Sequence, residues 1–422
     1  MPVAVSWAAL WAAPGPAAAV QPRVAAGPDA VLGPVHVARP ARGPLVVVRE
    51  QPESRLVALR LAVRVDEPRG MEGAARVVLE LARPQLEAAA AALGGRASVD
   101  RTATHAVFRL VGPADEFERL AAAILRAAAG PTGADAGSGA LAAARVVAQA
   151  QVAAELDTPE PLLRAKLREA LFPELGGASG EGADLAGLTA ERLARWWGAT
   201  ATAGRAAVVV AGGVEAGRVV AAFDDWPVRA PRGRRARTVA GRGGEQAAPA
   251  AASRPLAPQV VTRRIGLGYP ASQLEPAALA VAAALLDEEL GRAGLAGASA
   301  EVWWSARWRA LVLVAPEPPG RNGSAGEGSV RERLERAVAA VAERADGAAV
   351  ARARRRAVRD ILFAARSAEG LAEVLGTMLD RTGEPDAALR LVAALERVDA
   401  HDVAGVLRAL RDTRPEVVEV TP

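Results

Sequence analysis

The side chains that most often carry metal or nucleophilic chemistry are scarce in this sequence. There is no cysteine, which excludes thiolate nucleophiles, cysteine-ligated metals and disulfides. The three histidines are His36, His105 and His401, and no two of them have the spacing of a local zinc motif. His105 lies in an alternating stretch, which predicts a histidine at the edge of a core. A histidine-based catalytic triad is therefore not expected.

The remaining candidates for chemistry lack the context that their chemistry needs. Asp224 with Asp225, and Glu288 with Glu289, are paired carboxylates without placed partners. The Gly-rich stretch 241–244 lacks the preceding strand and following helix of a phosphate loop. A net charge of +4 over 422 residues, with 3% aromatic residues, does not indicate nucleic-acid binding. We expect no nucleic-acid partner.

The first part of the chain predicts strands and helices in separate blocks, an order that indicates an α+β fold. Strands are predicted where apolar residues alternate or run together, and helices where they recur with helical spacing. The predicted strands are 45–49, 56–65, a pair within 97–110, and 206–212. The predicted helices are 72–93 with a break at Pro84, 113–129, 141–172 with an interruption at Thr158 and Pro159, and one that begins at Thr189.

A stretch rich in Arg, Gly, Pro and Ala, residues 228–255, then interrupts the pattern. Its composition predicts a linker between domains, with a basic contact for a partner as the alternative. The order of strands and helices repeats after it. The predicted strands are 260–268, 302–315 and 417–420, and the predicted helices are 276–290, 329–343 and 348–365. Two Gly-rich loops, 131–139 and 316–328, are candidates for contacts with a partner.

A local echo supports an internal duplication. Residues 185–193 and 395–403 share a leucine, a helix-capping residue (Thr189 or Asp399), an alanine and a final apolar position. Each segment is followed by a valine-rich strand, so a capped helix feeds a strand at the end of each part. We therefore divide the chain into the parts 1–40, 41–227, 228–255 and 256–422: a leader with an extension, a first half, a linker and a second half.

The amino end resembles a signal peptide in part. An apolar run at 3–13 precedes Pro14, and the first charged side chain is Arg23. The run is short of the ~20 residues that span a membrane, and no other stretch is long and apolar enough. If residues 1–19 are a signal peptide, the protein is exported or periplasmic; otherwise it is cytoplasmic. We expect no membrane-spanning segment.

Several motifs resemble those of the M16 metallopeptidases, the pitrilysin, insulinase and mitochondrial processing peptidase family. They are the segment DEPRGMEGAA at 66–75, the pair Gly94 and Gly95, LDTPEPLL at 156–163, GLTAERLARWW at 187–197 and AAVVVAGGV at 206–214. The resemblance covers about residues 40–422. It implies two homologous halves, each an antiparallel-rich sheet backed by helices, that face each other across a chamber.

The residues that carry M16 catalysis do not match this sequence. Active members hold zinc with His-x-x-Glu-His on a helix and a later Glu, and the Glu inside the motif is the general base. The corresponding positions here are Arg76, Leu79 and Glu80, with Gln151 at the third ligand. A guanidinium group cannot ligate a metal and a leucine cannot act as a base. We expect no catalytic residue and no cofactor, in contrast to the zinc of active members.

Substrate-gripping residues of the second half are also altered. Active members carry a late arginine and tyrosine, and the corresponding stretch here is about 291–304, where Arg292 alone remains. Tyr269 is the only tyrosine in the chain. The tryptophans at 196–197 and at 303, 304 and 308 are predicted to be packing anchors.

The resemblance implies a catalytically inactive subunit. Such chains pair with an active M16 peptidase that carries the intact motif, and together they form a chamber that binds peptides or unfolded polypeptide. Two alternatives remain: an active metalloendopeptidase with an atypical site, and a stand-alone peptide-binding or scaffold protein.

Overall fold

A computed structural model describes residues 21–23, 31–68, 70–130, 138–173, 185–226, 263–305, 308–317 and 329–420. The predicted leader 1–19 and linker 228–255 lie outside these ranges, as do most of the loops 131–139 and 316–328. Among the described residues, no helix has the length and apolar character needed to cross a membrane.

The first sheet has seven strands in the order β1-β2-β3-β7-β4-β6-β5. They are β1 (Gln21–Arg23), β2 (Val35–Ala38), β3 (Leu45–Glu50), β4 (Leu56–Arg64), β5 (Arg96–Arg101), β6 (His105–Pro113) and β7 (Ala206–Gly212). Only β3 and β7 pair in parallel, and the other neighbours are antiparallel. The strands β3 to β7 confirm the predicted ones, and β5 lies at one edge.

Within the described ranges, six α-helices alternate with these strands or follow them before the predicted linker. They are α1 (Ala74–Ala92), α2 (Phe117–Ala128), α3 (Ser138–Asp157), α4 (Pro159–Leu171), α5 (Ala190–Thr200) and α6 (Ala216–Ala222). The predicted interruption after Thr158 is present. The predicted break at Pro84 is wrong, because Pro84 lies on the exposed side of an unbroken α1 whose opposite face is buried. Water can satisfy the backbone groups that a proline leaves unpaired there.

The second sheet has four antiparallel strands in the order β11-β8-β10-β9. They are β8 (Arg263–Pro270), β9 (Ser299–Trp304), β10 (Arg309–Glu317) and β11 (Glu416–Val420), with helices α7 (Pro276–Arg292), α8 (Val330–Arg344), α9 (Gly347–Ala364), α10 (Ala368–Thr382), α11 (Ala387–Leu395) and α12 (Ala400–Asp412). The single strand predicted at 302–315 is wrong. It is part of a hairpin, β9 and β10, whose turn includes the backbone hydrogen bond from Ser305 to Trp308.

The two predicted helix caps are present at corresponding places. The Thr189 side chain accepts a hydrogen bond from the amide of Arg192. Asp399 forms a complete capping box with Asp402. Each capped helix, α5 or α12, is followed by the strand that the echo predicted, β7 or β11. The α+β class with antiparallel-rich sheets backed by helices is thus confirmed.

Each sheet has two apolar faces, and one face is covered by a helix from the other half. In β10, Leu311 and Leu313 face α7 and α8, whereas Ala310, Val312 and Val314 face α4 from the first half. Alternate residues of a strand point to opposite faces, so both faces need a cover. Gly266 lacks a side chain where Leu167 of α4 approaches; a Cβ there would lie 2.3 Å from Leu167 Cδ1.

The reciprocal cover is α10 of the second half, which lies on the first sheet. Leu371, Leu375 and Met378 pack against Val47 of β3 and Val209 of β7. Because α4 and α10 are exchanged, neither sheet is fully buried without the other half.

A buried ion-pair network lies under α10. Arg60 of β4, only 3% exposed, donates to Glu373 Oε2 at 3.1 Å and to Asp380 Oδ2 at 2.6 Å. Arg109 of β6 also donates to Glu373, at 2.8 Å. Burial opposes ionisation of Glu373, but the hydrogen bond from Arg109 and the charges of Arg60 and Arg109 lower its pKa to about 2. His105, the predicted core-edge histidine, lies 3.9 Å from Asp380.

We predict that Arg60→Met destabilises the chain strongly. The substitution leaves Asp380, 10% exposed, without its main partner, and breaking a buried pair costs about 3 kcal/mol. The matched control is Arg218→Met, which breaks the exposed pair with Glu118 and should cost less than about 1 kcal/mol. Urea unfolding of the two variants measures both losses. Equal losses would contradict a stabilising role for the buried network.

Candidate functional site

The loop that precedes α1 is organised by a carboxylate. Glu67 accepts hydrogen bonds from the amides of Gly73 and Ala75, at 3.0 and 2.9 Å. Gly73 has a φ of 81°, a conformation that glycine adopts without strain. Glu67 therefore satisfies amides that the first turn of α1 would leave unpaired. This role is not evident from the sequence, because Glu67 lies well before the usual capping position.

The four positions that correspond to the M16 metal site lie on α1 and α3. Arg76 donates two hydrogen bonds to Glu155 of α3, at 2.9 and 2.7 Å. Glu80 accepts from Gln151 at 2.9 Å and from Arg83 at 2.7 Å. The structure thus brings Arg76, Glu80 and Gln151 together, and each of the two charged residues has its own partner.

Leu79 takes no part in this polar cluster. Its side chain is 2% exposed and belongs to the core under α1. Burial tends to raise the pKa of Glu80, but the hydrogen bonds from Arg83 and Gln151 lower it on balance, so Glu80 is an ionised carboxylate with its partners already in place.

These residues do not fit the zinc ion of active M16 peptidases. Arg76 brings a permanent positive charge into the place of one imidazole, and Glu155 compensates that charge with both oxygens. Gln151 uses its amide to donate to Glu80. Glu80 is then the one anionic donor among the four positions, and a single carboxylate does not make a zinc site.

A cavity of about 390 Å³ opens beside Arg76. Its lining includes four arginines from three elements: Arg76, Arg101, Arg164 and Arg168. Arg101 ends the edge strand β5, and the other two lie on α4. Because α4 crosses to the second sheet, it places Arg164 and Arg168 opposite α1. Among the described residues of the lining, Glu155 supplies the one carboxylate.

The four guanidinium groups differ in how their charge is compensated. Arg164 is paired with Glu160 and Glu301, which raise its pKa. Arg101 lies 3.7 Å from Glu67, yet burial lowers its pKa. Burial and the nearby charges of Arg101 and Arg164 lower the pKa of Arg168 as well. The guanidinium of Arg168 lies 5.4 Å from the centre of the Trp303 ring.

Three of the four cavity arginines were not predicted from the sequence. No local pattern marks Arg101, Arg164 or Arg168 as a neighbour of Arg76. The predicted packing anchors lie largely where expected: Trp197 is 1% exposed, and Trp303 packs beside α4. Arg292 is paired with Glu288 and Glu289 on its own helix. Within the described ranges, no cluster of three His, Asp or Glu residues has metal-binding geometry.

Comparison with known proteins finds similarity only at the level of structure. No family model and no curated protein matches the sequence. An M16-like protein from Alicyclobacillus acidocaldarius superposes with a TM-score of 0.68 at 17% identity, covering 92% of this chain and 98% of that one. An M16 peptidase inactive domain from Pseudomonas fluorescens gives 0.67 at 15% identity, covering 91% and 97%.

The chain has the fold of M16 peptidases. A chain of complex III2 from Candida albicans shares it, with a TM-score of 0.68 at 10% identity and coverage of 91% and 95%. Identities this low establish the M16-like fold alone, so the function has to be argued from the site.

We predict that zinc binding can be restored by three substitutions that leave Leu79 in the core. The variant Arg76→His, Glu80→His, Gln151→Glu presents two imidazoles at i and i+4 with a carboxylate on the facing helix, the donor set that zinc prefers. It should bind zinc stoichiometrically against a competing chelating dye, whereas the unaltered chain should not.

The control for this prediction is Glu87→His with Ala91→His, an exposed pair at the same spacing on α1 but without a facing carboxylate. It should bind zinc much more weakly. Stoichiometric zinc on the unaltered chain would contradict our interpretation of Arg76. A folded triple variant that binds no better than the control would show that these are not the metal positions.

Proposed function

We propose that this chain is a catalytically inactive M16-like subunit that pairs with an active, zinc-dependent M16 peptidase and contributes to a peptide-binding chamber. The observation that carries the proposal is the two-pronged ion pair of Arg76 with Glu155 at the metal position. A guanidinium has no lone pair to offer a metal, and the carboxylate nearest to it is already engaged in the ion pair. Leu79, which stands at the position of the general base in active members, is buried and cannot accept a proton.

Peptide binding is supported by the edge of the first sheet. Among the described strands, β5 pairs with β6 on one side only, so its other side presents backbone donors and acceptors. An extended peptide binds such an edge by adding a strand. The free edge ends at Arg101, at the mouth of the arginine-lined cavity. A peptide on β5 would thus lie along the former metal site without being cut there.

Pairing is supported by two observations. The similar domain from Pseudomonas fluorescens is named inactive, and the similar chain from Candida albicans is part of a complex. In this chain, Val146 is 69% exposed and Val147 43% exposed, side by side on α3. Exposed apolar side chains on a helix that flanks the site are suited to contact with another subunit.

Mild affinity purification of the tagged chain from its own host tests the pairing. We expect a second chain in stoichiometric amount that carries His-x-x-Glu-His, and we expect the eluted pair to hydrolyse a denatured protein. A chelator should abolish the hydrolysis, because the zinc belongs to the partner. The untagged host is the control for chance binding.

The same purification can contradict the proposal. If the chain elutes alone or with copies of itself, pairing with an active peptidase is wrong, and a stand-alone binding protein is the function that remains.

A further inference from the structure

The arginine-lined cavity contains one arginine, Arg168, that forms no ion pair with a carboxylate of the described residues, whereas Arg76, Arg101 and Arg164 each have one nearby. The described lining of the cavity contains four arginines and one carboxylate, that of Glu155. Both oxygens of Glu155 already accept hydrogen bonds from Arg76. The carboxylates that pair with Arg164 come from α4 itself and from β9 and are not part of the lining. These carboxylates still compensate Arg164, so the charge left without an ionic partner is that of Arg168, and a partly buried cation of this kind favours an anion beside it.

Arg168 is the guanidinium with the least compensation. It forms no ion pair or hydrogen bond within the part of the chain that the structure describes, and its contact is with the face of Trp303. A cation–π contact of this kind uses none of the N–H donors of the guanidinium, and Arg168 lines the cavity. Arg101, another residue of the lining, has Glu67 at 3.7 Å, but Glu67 also accepts hydrogen bonds from the amides of Gly73 and Ala75.

The position of the cavity indicates where an anion would come from. Arg101 is the last residue of β5 and shares a sheet face with Val99, the face that α1 covers. A peptide that adds to the edge of β5 would therefore reach the cavity at the end of the strand. A guanidinium group can donate two parallel hydrogen bonds to the two oxygens of a carboxylate, and Arg76 and Glu155 form such a pair in the same lining.

We propose that this cavity binds a carboxylate of a bound peptide, with Arg168 and Arg101 as the binding residues, so that the subunit selects acidic or free carboxyl-terminal peptides. The proposal rests on the peptide-binding function proposed above and adds its specificity. The carboxylate has two sources, an Asp or Glu side chain and the peptide terminus, which share this chemistry.

Four short fluorescein-labelled peptides of one sequence distinguish these sources. They carry either Glu or Gln at one inner position and either a free or an amidated carboxyl terminus. Binding to the full-length chain is measured by fluorescence anisotropy at low and moderate salt. We expect at least one carboxylate form to bind about tenfold more tightly than the Gln, amidated peptide, as for one charge-assisted hydrogen bond. Which form gains identifies the source.

The variants Arg168→Gln and Arg101→Gln should weaken binding of the preferred carboxylate peptide about tenfold and so remove this preference. Arg408→Gln on α12, an exposed arginine away from the cavity, is the matched control for the loss of one positive charge and should keep the preference. A melting curve for each variant confirms that it is folded.

The outcomes separate the two proposals. Equal binding of all four peptides overturns the selection of carboxylates but leaves peptide binding in place. Absence of binding by any peptide contradicts peptide binding, and the proposed selectivity with it. A preference that survives both cavity substitutions, or that Arg408→Gln removes equally, shows that general charge attraction and not this cavity is responsible.

Discussion

The exchange of one helix between the two sheets is the constraint on which the rest of the structure depends. Each sheet has apolar side chains on both faces, and the helices of its own half cover one face. The other face is covered by α4 or α10 from the other half. The hydrophobic effect therefore fixes the arrangement of the halves. Separating them would expose an apolar face of each sheet, at a free-energy cost of about 25 cal/mol for each Å² of apolar surface. The Arg60 network makes the position of α10 on the first sheet more specific, because Arg60 finds its partners Glu373 and Asp380 only when α10 lies there.

The same exchange builds the functional site. If α4 covered its own sheet, Arg164 and Arg168 would not face Arg76 and Arg101. Because α4 lies on the second sheet, it brings two more arginines to the cavity beside Arg76. Arg76 is compatible with these arginines because Glu155 compensates its charge, whereas an additional metal cation there would have no such partner. At position 76 the described side chains form an ion pair and do not provide a set of metal ligands, and we propose that the cavity beside it binds a carboxylate.

Much of the fold could be predicted from the sequence because local patterns carry it. Alternation located β4 and β6, and the capping residues Thr189 and Asp399 located the starts of α5 and α12. The turn between β9 and β10 was missed because the strand pattern on both sides of Ser305 and Trp308 is equally apolar. Helices α10 and α11 were not predicted, although their place between the capped helix and α9 follows from the same helical spacing.

The site could be predicted only in part. The resemblance of 66–75 and 156–163 to M16 motifs located Arg76, Glu80 and Gln151, and the structure brings these three together. The roles of Arg101 and Arg168 depend on two elements that meet only through the helix exchange, and no spacing in the sequence encodes that meeting. Their significance comes from the number of charges around one cavity, which is a property of the folded chain.

We propose that the chain is not itself a peptidase. The most direct measurement is hydrolysis of a denatured protein by the purified chain alone, with added zinc, with a chelator, and beside the variant Arg76→Ala, Glu80→Ala. We expect no hydrolysis that the chelator inhibits and no difference between the chain and the variant. Chelator-sensitive hydrolysis that is lost in the variant would contradict the claim and would make Arg76 and Glu80 part of an active site.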